Sequence, residues 1–261
     1  MAATLSDVWK SLYKSAHLID TVEDEEFLPS SGRNIGLKVN EACQLIFSAE
    51  LILAQLEEMG IPPGTASTLR IKLNRSILTM CAGQKASFDH SIPSLEKAWE
   101  IVDAKSGDFF ALGCYAGARL ATRSEKILSY FWEFGQVVGR LVQVGDDVKD
   151  LWDNEKGKSD IASGHWGLPL SYSINVLPEK DRARLKELLI SHPMEQATER
   201  TIRDIILSCG AIVYLGMETR RLHARGKSVL YRACPPSVAR EELLAILQSA
   251  GLPQGIHPEL V

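Results

Sequence analysis

FWEFGQVVGRLVQVGDDVKD, residues 131–150, is the stretch whose reading decides the fold. Val138, Leu141, Val142 and Val144 recur at the three- and four-residue spacing of a helix, and the alternation of a strand is missing. The run then ends in Asp146, Asp147 and Asp150. On a helix, 146 and 150 lie one turn apart and 147 and 150 three residues apart, so three carboxylates can converge on one side. An apolar helix closing in acids is costly to bury without a cation, which makes that end a candidate site. A solvated acidic end, with Lys149 pairing its neighbours, satisfies the same pattern, so the motif needs company.

Outward from this stretch the same period continues. It begins with Leu5, Val8, Trp9, Leu12, Ala16 and Ile19 and predicts helices at roughly 37–59, 65–86, 94–122, 125–153, 179–191, 194–224 and 236–250. Gly60-Ile61-Pro62-Pro63 closes one segment, Pro178 opens another, and Pro235-Pro236 precedes the last. Such lengths predict an all-α bundle whose interior can hold a ligand between facing helices. No linker divides the pattern, so residues 1–261 read as a single domain, large enough to bury about three quarters of its unfolded surface. The polar stretches 24–36 and 153–167 each follow an acidic helix end and read as lids or binding loops.

Charge and cysteine usage exclude several classes. Lys and Arg number 29 against 33 Asp and Glu, a net charge of −4, and give no basic bias toward nucleic acid. Five widely spaced cysteines with no C-x-x-C pair argue against a disulfide framework or a zinc ribbon. With neither a signal-peptide pattern nor a membrane-length apolar run, the expected location is the cytoplasm. Walker A, G-x-S-x-G, H-E-x-x-H, Rossmann and Glu-x-x-His patterns are all missing. The last of these removes the di-iron carboxylate bundle.

The company comes from DTVEDEE, residues 20–26, a second acidic helix end with Asp20 and Asp24 at i and i+4. Opposed carboxylate clusters can hold magnesium against a diphosphate and turn it into a leaving group, leaving a carbocation that needs an apolar, dry cavity. Lys105, Lys158 and Arg33 are cations that could share the departing charge. Phe109, Phe110, Tyr115, Phe131, Trp132 and Phe134 read either as cavity lining or as ordinary core.

At this point the motifs resemble a known family. MCAGQ (80–84), DAKSG (103–107), FGQVVGRLVQVGDDVKDLWD (134–153), GKSDI (157–161) and HWGLPLSYSI (165–174) are similar, in order, to the landmarks of the trans-isoprenyl diphosphate synthases, the polyprenyl synthetase family. HLIDTVED to SSGRN extends the resemblance toward the N-terminus. It implies an isoprenoid synthase fold, magnesium, an allylic prenyl diphosphate substrate and a homodimer. By the same resemblance Asp146, Asp147 and Asp150 form one metal cluster and Asp20 and Asp24 the other. Arg33, Lys105, Gln143 and Lys158 hold the diphosphate, and Ser15 and Ala16, small residues before the first motif, imply a pocket for fifteen carbons or more.

The sequence also departs from that family. Thr21 stands where a second aspartate normally sits, Arg-Arg-Gly is reduced to Arg33-Asn34, Ser87 replaces an aspartate, and His165 stands near a usual lysine. The Gly-Gly-Lys-x-x-Arg segment that grips isopentenyl diphosphate has no counterpart in the 19 residues before Asp20. Three readings follow: a prenyltransferase using isopentenyl diphosphate or another acceptor, a class I terpene synthase with no acceptor, and a non-catalytic partner subunit of a synthase. The intact DDVKD, Gln143, Lys105 and Lys158 weigh against the third. The basic stretch RRLHARGKSVLYR, 220–232, reads as a solvated end. Gly107, Gly113 and Gly117 predict a kink beside Lys105.

Overall fold

Periodic sequence becomes helix throughout the computed structural model, which describes residues 2–23, 32–88, 92–151, 161, 166–190 and 195–252. The elements are α1 (Ala2–Glu23), α2 (Gly32–Ala54), α3 (Pro63–Ser87), α4 (Leu95–Val102), a π turn (Asp103–Gly107), α5 (Asp108–Ala121) and α6 (Glu125–Asp150). After them come α7 (Leu168–Val176), α8 (Glu179–Leu189), α9 (Gln196–Ser208), α10 (Ala211–Ala233) and α11 (Val238–Ser249). Strands are absent among the described residues, so the all-α expectation holds. Local chemistry sets the starts. Pro63 opens α3 at its first turn, and the Ser94, Ser124 and Ser237 hydroxyls accept the backbone N–H of Lys97, Ile127 and Arg240.

Three expectations need correcting. The segment 94–122 is not one α-helix, because a single π turn separates α4 from α5. The segment 194–224 is two helices, broken at Gly210, whose φ of 83° is the left-handed conformation glycine adopts without penalty. Residues 168–176, with no predicted helix, form α7, a short element too brief to show a period. The polar stretch 24–36 also shortens, since α2 already begins at Gly32.

α6 explains why its sequence was decisive. Leu128 belongs to the cluster built from α1, α2, α3 and α5. Phe134, Val137 and Leu141 belong to the one shared with α10 and α11. Val144 and Val148 belong to the one that takes in α4, α7, α8, α9 and α10. One helix thus joins all three clusters of the core. Each of these side chains is at most 6% exposed, and such burial contributes about 1.5–3 kcal/mol apiece. None of the described helices is long and apolar enough to cross a membrane.

Candidate active site

The π turn sits between α3 and α6, each of which packs closely against it. In such a turn the hydrogen bond spans five residues, as Asp108 N–H donates to Asp103 O here, and π turns concentrate at functional sites. Glycines on both sides make the approach possible. A Cβ on Gly83 of α3 would meet Ala104 Cβ at 2.7 Å, and one on Gly139 of α6 would meet Gly107 Cα at 2.8 Å. The turn is also tied at its start. Arg140 donates from Nε and Nη2 to the two oxygens of Asp103 at 2.5 and 2.6 Å, a bidentate pair, and its guanidinium lies 5.6 Å from the Trp99 ring centre. The interruption beside Lys105 takes the form of this turn, and Gly113 and Gly117 lie within α5.

From that anchorage Lys105 reaches the end of α1. Its Nζ lies 4.0 Å from Asp20 Oδ1, which also accepts from Gln84 Nε2 at 3.3 Å. Gln84 also lies beside Glu23, whose Oε2 is shut off from solvent with no hydrogen-bond partner among the described residues. Burial pushes the Glu23 carboxyl above its ordinary range; Asp20 adds to the rise, and Gln84 and Lys105 oppose it.

The acidic end of α6 faces the same lysine. Gln143 is held from both sides: Ser106 Oγ donates to its Oε1 at 2.5 Å and its Nε2 donates to Asp147 Oδ1 at 2.7 Å. Asp147 Oδ2 accepts the backbone N–H of Leu168 at 2.7 Å, at the first turn of α7. Gly167 leaves room for this, since a Cβ there would lie 3.0 Å from the Asp147 carboxylate. Burial raises the Asp147 carboxyl, against the opposing pull of Gln143, Leu168 and Lys105. Asp146 is pushed up to about 6, first by desolvation and then by the charges of Asp150, Asp147 and, from across the site, Asp20. Asp20, Lys105, Gln143, Asp146, Asp147 and Asp150 are therefore brought to one end of the bundle.

Other sequence candidates fall elsewhere. Asp24 and Lys158 lie outside the described residues, as does the side chain of Arg33, whose backbone begins α2. Ser15 is buried and turned toward α2, where its Oγ donates to Ala42 O at 3.0 Å. Ala16 shares the Asp20 face of α1. Farther down that face Tyr13 lies 6.1 Å from the Phe109 ring centre and Trp9 stacks on Phe109 at 3.8 Å. Sequence reasoning gave no role to Glu23, Gln84 or Ser106. Gln84 and Ser106 lay inside the family-like motifs, and Glu23's spacing from Asp20, three residues, was the signal that could have found it.

Comparison with known proteins bears on what this end of the bundle handles. The sequence pattern of the Polyprenyl synthetase family matches residues 17–206. Geranylgeranyl pyrophosphate synthetase from Pyrococcus horikoshii superposes with a TM-score of 0.82 at 21% identity, over 94% of this chain and 77% of that one. A polyprenyl synthase from Caulobacter crescentus, complexed with calcium and isoprenyl diphosphate, gives 0.78 at 21% identity, over 94% and 76%. Talaropentaene synthase of Talaromyces verruculosus is 26% identical over 205 residues, 71% of this chain. The chain spans 28% of the length of that curated relative.

Proposed function

Because the chain belongs to the polyprenyl synthetase family, we propose that it ionises an allylic prenyl diphosphate and transfers the prenyl group to an acceptor, with magnesium as the metal. The observation that carries this reading is the convergence of Asp20, Gln84 and Lys105 with Asp146 and the Gln143–Asp147–Leu168 chain. Magnesium fits the donors. They are hard carboxylate oxygens, and the burial and, after it, the repulsion from Asp150, Asp147 and Asp20 that lift Asp146 to about 6 are what a divalent cation offsets. Among the described residues no three His, Cys, Asp or Glu side chains are grouped so as to hold a metal ion by themselves, so substrate phosphate would have to complete its coordination. Asp20 and Asp24 would hold it on one side and Asp146 and Asp150 on the other. Bound there, it would supply Lewis-acid neutralisation of the diphosphate.

The remaining chemistry belongs to the chain. Lys105 points its ammonium between the acidic ends, where a diphosphate oxygen gains charge as the C–O bond breaks and the electron pair leaves with it. Arg33 and Lys158 join it on the diphosphate. Asp147 acts as a positioning residue: both its oxygens are engaged, and it fixes Gln143 and the start of α7. Phe109, Phe110 and Trp9 offer ring faces to the allylic cation and exclude water. The acceptor's electron pair then forms the new bond to carbon, and a proton leaves.

A second reading, ionisation followed by cyclisation without an acceptor, is favoured by the likeness to a talaropentaene synthase. Incubation with geranyl, farnesyl and geranylgeranyl diphosphates, with and without isopentenyl diphosphate, separates the two. Longer diphosphates formed only with isopentenyl diphosphate support the transferase. Hydrocarbons or alcohols formed without it support the cyclase. Silence in both, relieved by a partner protein, supports a subunit role. We also propose a homodimer through α2 and α3, which expose Leu37, Phe47, Leu51, Ile71 and Leu78, each more than half accessible. A monomeric sedimentation coefficient would refute that proposal.

A further inference from the structure

A lysine ammonium is a point charge on a flexible stem, so where it stands depends on the backbone that carries it. Lys105 is carried by the π turn, and α6 grips that turn on both sides of it. Before Lys105, Arg140 makes its two-pronged contact with Asp103, at 2.5 and 2.6 Å. After it, Ser106 Oγ donates to Gln143 Oε1 at 2.5 Å. Arg140 and Gln143 are three residues apart, so both grips come from one face of α6. Asp103 and Lys105 are two residues apart and leave the turn on roughly opposite sides. While Asp103 meets α6, the Lys105 ammonium reaches to 4.0 Å from Asp20 Oδ1 at the end of α1.

Arg140 is itself backed by an aromatic framework. Its guanidinium lies 5.6 Å from the Trp99 ring centre, the Trp99 indole N–H donates to Tyr214 Oη at 3.0 Å, and Tyr214 stacks on Tyr172 at 4.5 Å between ring centres. The Arg140 and Asp103 side chains are only 31% and 34% exposed. An ion pair that far out of water gains little net stability, because desolvation cancels much of the attraction, whereas a planar fork on a carboxylate fixes both distance and angle. We infer that Arg140 is a positioning residue for diphosphate binding: through Asp103 it sets the π turn, and through the turn it sets the place of the Lys105 ammonium. This rests on the proposed diphosphate site.

The test is a calorimetric titration of the full chain with inorganic diphosphate in millimolar Mg2+. Wild type, Arg140→Lys, Asp103→Asn, Lys105→Ala and the two doubles that carry Lys105→Ala are compared after circular dichroism shows that each is folded. Arg140→Lys keeps the positive charge and loses the fork. Asp103→Asn keeps the shape and removes a negative charge, so charge alone would tighten the binding of an anion. The two variants enter the pair from opposite partners, and either carries the test if the other fails to fold. The expected result is about tenfold weaker binding in each single variant, the low end of what partners behind a site's ligands are worth. Added to Lys105→Ala, either one should change affinity by less than about twofold. Wild-type affinity in Arg140→Lys, tighter binding in Asp103→Asn, or an undiminished loss on the Lys105→Ala background would overturn the role of Arg140 and leave the site standing. The last outcome counts because a merely structural contact adds its cost whatever stands at position 105. Unchanged affinity in Lys105→Ala, or a wild type that binds no diphosphate, would overturn the site and this inference with it.

Discussion

Replacing Gly139 by alanine tests whether the seat of the π turn sets the geometry of the site. The added Cβ would collide with the Ser106 carbonyl oxygen and stand 2.6 Å from its carbon and 2.8 Å from Gly107 Cα. Ordinary contact begins near 3.4 Å, so α6 and the turn must separate by roughly 1 Å to clear the Ser106 oxygen, and both sides are backbone that cannot rotate away. Overpacking of this kind costs about 1–3 kcal/mol, and helix propensity returns up to about 1 kcal/mol, leaving a net loss of about 1–2 kcal/mol. For a chain of this length that lowers Tm by about 3–6 °C. The larger effect falls on the site. The Ser106–Gln143 bond, now 2.5 Å, stretches to roughly 3.5 Å, and Lys105 shifts with the turn. A displacement near 1 Å can cost about 100-fold in turnover. Diphosphate release and thermal unfolding are the two measurements, with Gly117→Ala as the control. Nothing lies within 4 Å of a Cβ at Gly117, an exposed position in α5, so that variant should gain up to about 1 kcal/mol and keep its activity. Wild-type Tm and turnover in Gly139→Ala would refute the reasoning.

The remaining predictions are shorter. Asp147→Ala leaves the Leu168 N–H and the Gln143 amide without their acceptor, at about 1–3 kcal/mol each; chemical denaturation should show a loss of about 2–4 kcal/mol, and Asp147→Asn a smaller one. Asp108 is raised above its ordinary 3.8 by burial, only partly offset by Lys72, with Asp103 raising it and Gln136 lowering it. The folded state therefore holds that proton more tightly than the unfolded chain, and stability falls as pH rises from 3.8 through the raised value. Asp108→Asn should accordingly stabilise at pH 7.5 and have no effect near pH 3 in a thermal scan; stabilisation at both would sink this account. Trp9 lies eleven positions before Asp20 on the same face, about 16 Å along the axis, and stacks on Phe109, so on the proposed reading it would form the floor of the prenyl site. Trp9→Ala should lengthen the prenyl chain accepted or produced, read by mass spectrometry, and an unchanged length distribution would exclude Trp9 as the floor.

Much of the fold was legible because burial imposes a period. Long helices such as α6 and α10 present many turns to the core, so their pattern survives any single polar residue. The π turn was visible only as a cluster of glycines. Its setting, with Gly83 against Ala104 and Lys105 and Gly139 against Ser106 and Gly107, joins residues far apart in sequence, which no local pattern records. α7 was hidden for a different reason. Nine residues with Leu168, Pro169, Leu170, Ser171 and Ser173 all buried have no polar face to mark them as a helix. At the site, the carboxylates were legible from type and spacing, but the division of labour was not. Asp146 and Asp147 are neighbours in sequence, yet one faces the acids across the site and the other is spent on Gln143 and Leu168, because consecutive residues point about 100° apart. Ser15 shows the converse: small size marked it as pocket lining, whereas its hydroxyl is committed to the Ala42 carbonyl.

Asp20, Glu23, Asp146, Asp147 and Asp150 gather at one end of the bundle around Lys105, and Asp146 already feels Asp20 from across the gap. An approaching diphosphate adds several negative charges to this set. At an effective dielectric near 20, a like-charged pair 4 Å apart costs about 4 kcal/mol, so Lys105 by itself cannot offset the sum. On the proposed reading, diphosphate and divalent cations must therefore arrive together, each raising the affinity for the other by the same factor. Calorimetric titration with inorganic diphosphate should show weak or undetectable binding in EDTA and at least about tenfold tighter binding in millimolar Mg2+, with the gain reduced in Asp146→Asn. Lys105→Ala should weaken binding in Mg2+ while leaving that coupling in place, since the lysine contacts the diphosphate and not the ion. Equal affinity with and without the cation would mean that cationic side chains alone hold the anion, and the acidic ends of α1 and α6 would then need another purpose.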